Sequence, residues 1–366
     1  MAFDAIYLAK GLANLPQQPF GDFFSFWSFG KFAAAKGSEI YDPLALQAFE
    51  TALSPDFRGF YPYWNPPSFL LLLAPLAMIP LAPAYVVWAL GTFMLSLIAA
   101  LGRDWRSLAG VAALAAPSTL INAVSGQNGF LSAALIVGGL RAAHQSPVFG
   151  GILLGLLTYK PQFALLIPVA LLARRNWRAI ASSFVTFLTT VVMSSLFFGD
   201  SIWVKWIHAA LTYGDLLREN SGNLNKLMPT FLAGLHEIGL SGFIADGGQV
   251  IIYIVVAVIL WRALKIDATD RGTAATIVGS FIVAPYAFIY DTPMITSALL
   301  IEWKRRRGLH LEIELWQVNI VLAIMAFQLA MIAFPIPFAL FVTLAALFWA
   351  ILRSPSGESG ASAVLQ

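Results

Sequence analysis

Long apolar stretches, separated by short polar connections, dominate the chain. Stretches long enough to cross a bilayer, or nearly so, run from about 83 to 102, 107 to 122, 128 to 143, 147 to 159, 161 to 173, 178 to 198, 249 to 264, 272 to 290, 292 to 302, 316 to 334 and 336 to 352. Several fall short of the roughly 20 residues that a straight helical span needs, which indicates kinked or short helices. The pattern predicts an all-α polytopic membrane protein, a bundle of about 11–12 transmembrane helices.

Basic residues are concentrated in every second connection between these stretches. Those connections hold Arg103 and Arg106, Arg141, Arg174, Arg175 and Arg178, Arg262, Lys265 and Arg271, Lys304 to Arg307, and Arg353. The short connections of the opposite set contain a single cation, Lys160. Because Lys and Arg are enriched in cytoplasmic loops, we expect the basic connections in the cytoplasm and the opposite set outside.

Two longer segments, at about 17–82 and 199–248, then also lie outside. In the first of them, residues 23–35 mix aromatic side chains with Ser and Lys, which is typical of a helix in the membrane interface. The next apolar stretch, 66–80, carries four prolines, and a full span there would reverse the charge pattern. We therefore expect a re-entrant or membrane-adjacent segment at 66–80.

The pattern divides the chain into five parts. These are a partial first span plus an outer loop with interfacial and re-entrant helices (1–82), core transmembrane helices (83–198), a second outer loop (199–248), C-terminal transmembrane helices (249–353) and a disordered tail (354–366). The first sixteen residues are too short for a full outward-running span. We expect the recorded start to lie downstream of the true one.

Composition supports a membrane protein and excludes several other classes. Hydrophobic residues make up 59% of the chain and charged residues 11%, and the mean hydropathy is +0.76, far above a water-soluble domain. The net charge of +3 comes from residues at the ends of apolar stretches, so we expect the lipid bilayer as a partner and no nucleic acid. The chain has no cysteine, which excludes disulfides, zinc–thiolate sites and a cysteine nucleophile.

The candidate chemistry lies at the outer ends of the predicted spans. The middles of the spans carry no acid or base, whereas an ion-coupled transporter usually places such groups at the midplane. Polar and ionisable residues converge instead at the outer face: Asp22, Gln127, Asn128, Lys160, Asn223, Asn225 and Asp291. This distribution suits a reaction at the exterior membrane boundary.

Two of these residues have both a catalytic and a structural interpretation. Asp22, at the head of the run GDFFSFW, is the best candidate for a catalytic base, but an Asp in that place is also a good helix N-cap. Lys160 can bind an anionic group as a point charge, or it can be an interfacial lysine whose ammonium reaches outward. Because it breaks the charge asymmetry, we favour the anion-binding role.

The remaining candidates are weaker. Gln127 and Asn128 lie between two glycines in a predicted tight turn, where they either contact substrate or serve the turn itself. Tyr61 can stack on a ring of a ligand or belong to an aromatic belt, and Asn225 lies in a loop where solvated polar residues are common. No pair of acids has a metal-binding spacing, so we expect neither metal nor cofactor.

The order of several motifs resembles a known family. GDFFSFW, IYDPLALQAF, YPYWNPPSFLLLLAPLAMIP, SGQNG, GGILLGLLTYKPQFALLIPVALLARRNW and APYAFIYD follow one another over residues 20–300, as in glycosyltransferase family 87 (the DUF2029 group) of the GT-C superfamily. The resemblance implies a GT-C-like helical bundle that takes a sugar from a polyprenyl-phosphate donor. It also implies a bacterial inner-membrane protein that acts on the periplasmic side. We expect a glycolipid or glycan as acceptor, and a protein acceptor stays open.

The resemblance also implies roles for single residues. It makes Asp22, the acid of the first outer loop, the essential base, and it places Lys160, before the Pro of the Lys-Pro motif, near the donor phosphate. Chemistry agrees, because inverting transfer needs one carboxylate for the acceptor proton and one cation for the leaving phosphate. Two departures leave roles open: Asp291 stands where some relatives carry a histidine, and Asp22 stands alone where several GT-C relatives have Asp-X-Asp.

Two other classes of function remain open. A flippase or transporter of lipid-linked saccharides shares many helices and outer polar groups, but it needs a continuous polar path that the uncharged spans do not offer. A membrane scaffold would carry no chemistry at all. Nothing in the sequence distinguishes a hexose donor from a pentose donor.

Overall fold

The computed structural model describes residues 21–54, 62–107, 110, 113, 116–219, 228–266, 270–311, 315–333 and 337–354. This part of the chain is mostly helical and contains no β-strand. Its α-helices are α1 Phe23–Lys36, α2 Pro43–Leu53, α3 Leu70–Leu76, α4 Leu81–Leu101, α5 Pro117–Ser125, α6 Gly129–Gln145, α7 Pro147–Leu156, α8 Ile167–Ala173, α9 Trp177–Phe198, α10 Ile202–Glu219, α11 Phe231–Glu237, α12 Phe243–Ile266, α13 Asp270–Val283, α14 Pro293–Gly308, α15 Leu315–Ala333 and α16 Pro337–Arg353.

The helices follow the apolar stretches of the sequence. The all-α prediction is confirmed, because α4, α6, α7, α9 and α12 to α16 each lie on a predicted stretch. Within the described residues, three helical segments are by themselves long and apolar enough to cross a membrane: Leu81–Arg106, Trp177–Phe198 and Phe243–Ile266. The other apolar helices are shorter, so the number of spans stays a prediction.

The basic connections meet at one end of the bundle, which we call the arginine end. Arg141, late in α6, pairs with Asp270 at 3.2 Å and donates to the carbonyls that close α4. Lys304 of α14 pairs with Asp104 at 2.7 Å and donates to the Leu101 carbonyl at 2.8 Å. The predicted alternation of charge therefore corresponds to a common end of the bundle. The leaflet at which this end lies stays a prediction.

Small residues let α7 pack closely against α9. A Cβ on Gly155 would lie 2.6 Å from the Ser183 carbonyl oxygen, and one on Gly151 would lie 2.4 Å from the Ala179 oxygen. Helices in lipid associate through such close contacts, since burial from lipid supplies little driving force. The contact fixes α7, whose end opposite the arginine end leads into Lys160.

The aromatic helix α1 is buried more deeply than an interfacial helix needs. It forms where the sequence predicts, but five of its phenylalanines are at most 5% exposed: Phe23, Phe24, Phe26, Phe29 and Phe32. They contact rings of other elements, among them Trp88 and Tyr63. The aromatic residues that the sequence assigned to the membrane interface therefore pack into an internal core, and the position of α1 at the interface stays a prediction.

The proline-rich segment packs on α1. It contains a 3-10 turn, Pro67–Phe69, and the seven-residue α3, which is too short to cross a bilayer alone. A Cβ on Gly30 of α1 would lie 2.2 Å from the Leu73 carbonyl oxygen, so the two backbones touch. Trp27 donates to the Ile79 carbonyl at 2.8 Å. This geometry is compatible with the predicted re-entrant segment.

Candidate functional site

The site is organised by residues 122–129, which are the last turn of α5, the short connection and the first residue of α6; we call this segment the α5–α6 turn. Gly126 ends α5 in the left-handed conformation, with φ of 65°, which glycine adopts without strain. Trp88 of α4 donates its indole N–H to the Gly126 carbonyl at 3.1 Å and to the Gln127 carbonyl at 3.3 Å. The turn is therefore held at the end of the bundle opposite the arginine end.

Asp22 is attached to this turn by its backbone and by its side chain. Gly21, with φ of 57°, lies so close that a Cβ would be 2.8 Å from the Ser125 carbonyl oxygen. The Asp22 N–H donates to that oxygen at 2.8 Å, and Gln127 Nε2 donates to Asp22 Oδ2 at 2.8 Å. Glycine is the residue that permits this approach.

The alternative role of Asp22 as a helix cap is not what the structure shows. Asp22 occupies the N-cap position of α1, but its side chain accepts no hydrogen bond from the first turn. The carboxylate is half-buried and its pKa is raised by burial, an effect that the hydrogen bond from Gln127 opposes. A half-buried carboxylate with raised proton affinity suits a general base.

Lys160 lies at a break between helices, and the sequence explains the break. Pro161 cannot continue a helix and disfavours the α conformation in the residue before it, so Lys160 adopts φ of −128° and ψ of 73°. Its ammonium donates to Asp291 Oδ1, and the two side chains are 6% and 1% exposed. The rings of Tyr290 and Phe163 lie 5.2 and 5.7 Å from Nζ.

Asp291 is held in place by its own turn. It ends a 3-10 turn, Ile289–Asp291, and its Oδ2 accepts from the Phe288 N–H at 3.1 Å. Pro293 then starts α14. Because the carboxylate is fixed by backbone and Lys160 has a flexible stem, the lysine is the mobile partner of this buried ion pair.

The α5–α6 turn also contacts the segment that carries Asp291. Asn122 donates its side-chain amide to the Tyr290 carbonyl at 2.7 Å. A Cβ on Gly129 would lie 1.9 Å from the same oxygen, so only glycine fits there. One short turn thus contacts Asp22 on one side and the neighbour of the Lys160–Asp291 pair on the other.

Three amides at this end are buried with an unpartnered oxygen. Asn128 is 2% exposed, and its side-chain oxygen has no hydrogen-bond partner within the described ranges. The same is true of the oxygens of Asn122 and Gln162, two residues that sequence reasoning did not select. Unpaired buried carbonyls cost free energy, so these oxygens are suited to accept hydrogen bonds from hydroxyl groups. The sequence did offer one sign of Gln162, because this residue directly follows the Lys-Pro motif.

Sequence reasoning also missed Glu50. This residue of α2 is 1% exposed and accepts from Ser28 Oγ of α1 at 2.7 Å. Burial raises its pKa to about 7, although the hydrogen bond from Ser28 lowers it. The sequence feature that could have identified Glu50 is its spacing from Leu46. Residues four apart share a helix face, and Leu46 is buried.

The remaining residues that the sequence selected add no contact to the site. Tyr61, Asn223 and Asn225 lie outside the described residues. Within the described ranges, no group of three or more His, Asp or Glu side chains is arranged to hold a metal ion.

Fold and site together define an α-helical membrane protein with enclosed acidic and basic groups at one end of its bundle. A family model described as glycosyltransferase family 87 matches residues 63–288, more than half of the chain, and the protein belongs to this family. The match includes Gln127, Asn128 and Lys160, whereas Asp22 and Asp291 lie outside it. No curated protein and no solved structure matches the chain.

Proposed function

We propose that this membrane glycosyltransferase moves a sugar from a polyprenyl-phosphate donor to an acceptor hydroxyl of a glycolipid or glycan, with inversion. In this proposal the reaction takes place at the periplasmic face of a bacterial inner membrane, the end of the bundle opposite the arginine end. One observation carries it: the α5–α6 turn contacts both Asp22 and the segment next to the Lys160–Asp291 pair.

Asp22 is the proposed base. As the acceptor oxygen attacks the anomeric carbon, its proton passes to the Asp22 carboxylate, and the bond between the sugar and the phosphate oxygen breaks on the opposite face. Gln127 holds Oδ2 of the carboxylate at 2.8 Å and so orients the other oxygen. In this role Gln127 is a positioning residue rather than a substrate contact.

Lys160 is the proposed partner of the donor phosphate. The phosphodiester carries about one negative charge, and the departing polyprenyl phosphate gains another as the sugar leaves. A cation near that phosphate stabilises the transition state more than the ground state. Because Lys160 already pairs with Asp291, its ammonium must turn from this carboxylate or share itself between the two anions. Asp291 thereby becomes a second polar group of the site.

The buried amides are the proposed sugar contacts. The free oxygen of Asn128 can accept from a sugar hydroxyl, and Gln162 offers a second acceptor beside Lys160. Tyr61 and Asn225 stay in the proposal as a stacking residue and a polar contact. A site whose buried acceptors await hydroxyl groups discriminates strongly against ligands that lack them.

The deciding experiment uses purified protein in lipid vesicles with a radiolabelled polyprenyl-phosphate sugar. We expect label in a new glycosidic product when an acceptor extract is supplied, and with it free polyprenyl phosphate. Movement of unchanged donor across the bilayer, with no new bond, would support a transporter and overturn the proposal. Screening hexose and pentose donors in the same assay identifies the sugar.

A further inference from the structure

A buried carboxylic acid joins the first two helices, and the proposed reaction does not use it. Glu50 of α2 is bonded through Oε1 to Ser28 of α1 at 2.7 Å. Its Oε2 is buried without a hydrogen-bond partner among the described residues, and so is the hydroxyl of Ser25, one turn earlier on α1. Glu50 therefore faces the side of α1 that carries these two serines.

No cation in the described part of the chain pairs with Glu50. Among the described residues, the elements packed against α2 are α1 and the turn that follows α1. The titratable groups of these elements and of the N-cap of α2 are Lys31, Lys36, Glu39, Tyr41 and Asp42. Lys31 lies over the Trp27 ring at 4.5 Å, and Tyr41 donates to the Asn65 carbonyl at 2.8 Å. Among the described residues, an ionised Glu50 would thus be buried without a counter-charge, which is costly.

Protonation decides how stable Glu50 is in this buried position, because burial penalises the carboxylate more than the hydrogen bond from Ser28 favours it. Burial raises the pKa of Glu50 from 4.5 to about 7, so both forms exist near neutral pH. The folded state binds the proton more tightly than the unfolded chain does. The contribution to stability is therefore full in acid, falls as the pH rises from about 4.5 to about 7, and changes no further above that.

The contact bears on Asp22 because Asp22 directly precedes α1. Ser25 and Ser28 lie in the first turns of that helix, and α3 packs on another part of it through Gly30. We propose that Glu50 is a positioning residue: as the neutral acid it clasps α2 to α1 and keeps Asp22 against the α5–α6 turn, and as the carboxylate it releases α2. The consequence for Asp22 rests on the proposed function.

The absence of cysteine makes a direct test of the clasp possible. Ser25→Cys places a thiol at a buried position of α1, on the side that also carries Ser28, and Ala48→Cys places one on the exposed face of α2 as a control. Both are labelled with a charged maleimide in the full-length protein at pH values from about 6 to about 8.5. The ratio of the two labelling rates cancels the pH dependence of thiol chemistry.

With Glu50 present we expect this ratio to rise roughly tenfold, the change in the ionised fraction for a group of pKa about 7. With Glu50→Gln, which keeps the shape and cannot ionise, the ratio should stay low and flat. A flat ratio in both proteins, or an equal rise in both, overturns the clasp.

Transferase activity tests the second half of the proposal. In the protein without the added cysteines, activity should fall above about pH 7, and Glu50→Gln should remove this fall while leaving the acidic limb unchanged. Identical pH profiles would overturn the effect on Asp22. If neither the unchanged protein nor Glu50→Gln uses any donor, the proposed function fails. The labelling experiment still shows whether Glu50 holds α2 against α1.

Discussion

At the scale of single residues, the site depends on hydrogen bonds between segments far apart in the chain. Asp22 and Gln127 are separated by 105 residues, yet one amide fixes one carboxylate oxygen. The sequence predicted both residues at the outer face, and it left two roles open for Asp22, a catalytic base and a helix cap. In the structure the Asp22 carboxylate accepts a hydrogen bond from Gln127 and none from the first turn of α1, so it does not cap that helix.

Asp22→Asn should reduce sugar transfer by roughly 10²–10⁴-fold, the usual contribution of a positioned base. Asn cannot take up the acceptor proton, whereas its size and its bond to Gln127 are kept. The matched control is Asp42→Asn at the start of α2, where Asn caps as well as Asp and activity should be unchanged. Initial rates and thermal unfolding of both variants are measured, and a well-folded, active Asp22→Asn protein contradicts the base role.

Gln127→Ala should change the pH dependence of the reaction. The hydrogen bond from Gln127 lowers the pKa of Asp22, so its removal raises that pKa further. The base works only when ionised, and the loss of activity in acid should therefore begin at a higher pH than in the unchanged protein. A profile of kcat/KM against pH measures this, and an unshifted acidic limb would mean that Gln127 does not act through Asp22.

At the scale of elements, two helix breaks meet through one ion pair. Pro161 interrupts the helical path after α7, and the turn that ends at Asp291 separates α13 from α14. The Lys-Pro motif and the prolines near Asp291 indicated both breaks from sequence. That Lys160 and Asp291, 131 residues apart, would pair was not predictable, because it depends on which distant segments the tertiary packing brings together.

Replacing one partner of this pair should be more harmful than replacing both. Lys160→Met alone leaves the buried Asp291 carboxylate without its counter-charge, and Asp291→Asn alone leaves the buried Lys160 ammonium without one. Each single change should cost about 3–5 kcal/mol of unfolding free energy. The double variant should recover most of that loss, as measured by thermal unfolding. Removal of the exposed Asp104–Lys304 pair serves as a control and should have little effect.

The double variant also separates structure from chemistry. If Lys160 binds the donor phosphate, this protein is stable but uses donor poorly, with a raised KM or a lowered kcat. Stable protein with unchanged donor dependence would remove Lys160 from the reaction and leave the pair a purely structural role.

At the scale of the whole molecule, the bundle has two chemically distinct ends. Ion pairs gather the basic connections at the arginine end, and the candidate site lies at the other. The positive-inside pattern predicts that the site end faces the periplasm. This orientation decides which leaflet supplies the donor lipid.

Single cysteines in the otherwise cysteine-free chain test the orientation. Leu44→Cys, on the exposed side of α2, should react with a membrane-impermeant maleimide in intact cells. Gly308→Cys, at the exposed end of α14, should react only after the membrane is permeabilised. The reverse result would place the site in the cytoplasm and exclude a periplasmic reaction.

The sequence by itself determined the helical membrane architecture, the alternation of basic and neutral connections, and the family, because these depend on local composition and on the order of motifs. Only the tertiary structure decided that Gln127 holds Asp22, that Asp291 neutralises Lys160 and that Glu50 is enclosed between α1 and α2. Such contacts depend on which helix faces meet. In a chain so rich in apolar residues, the hydrophobic pattern alone cannot specify that pairing.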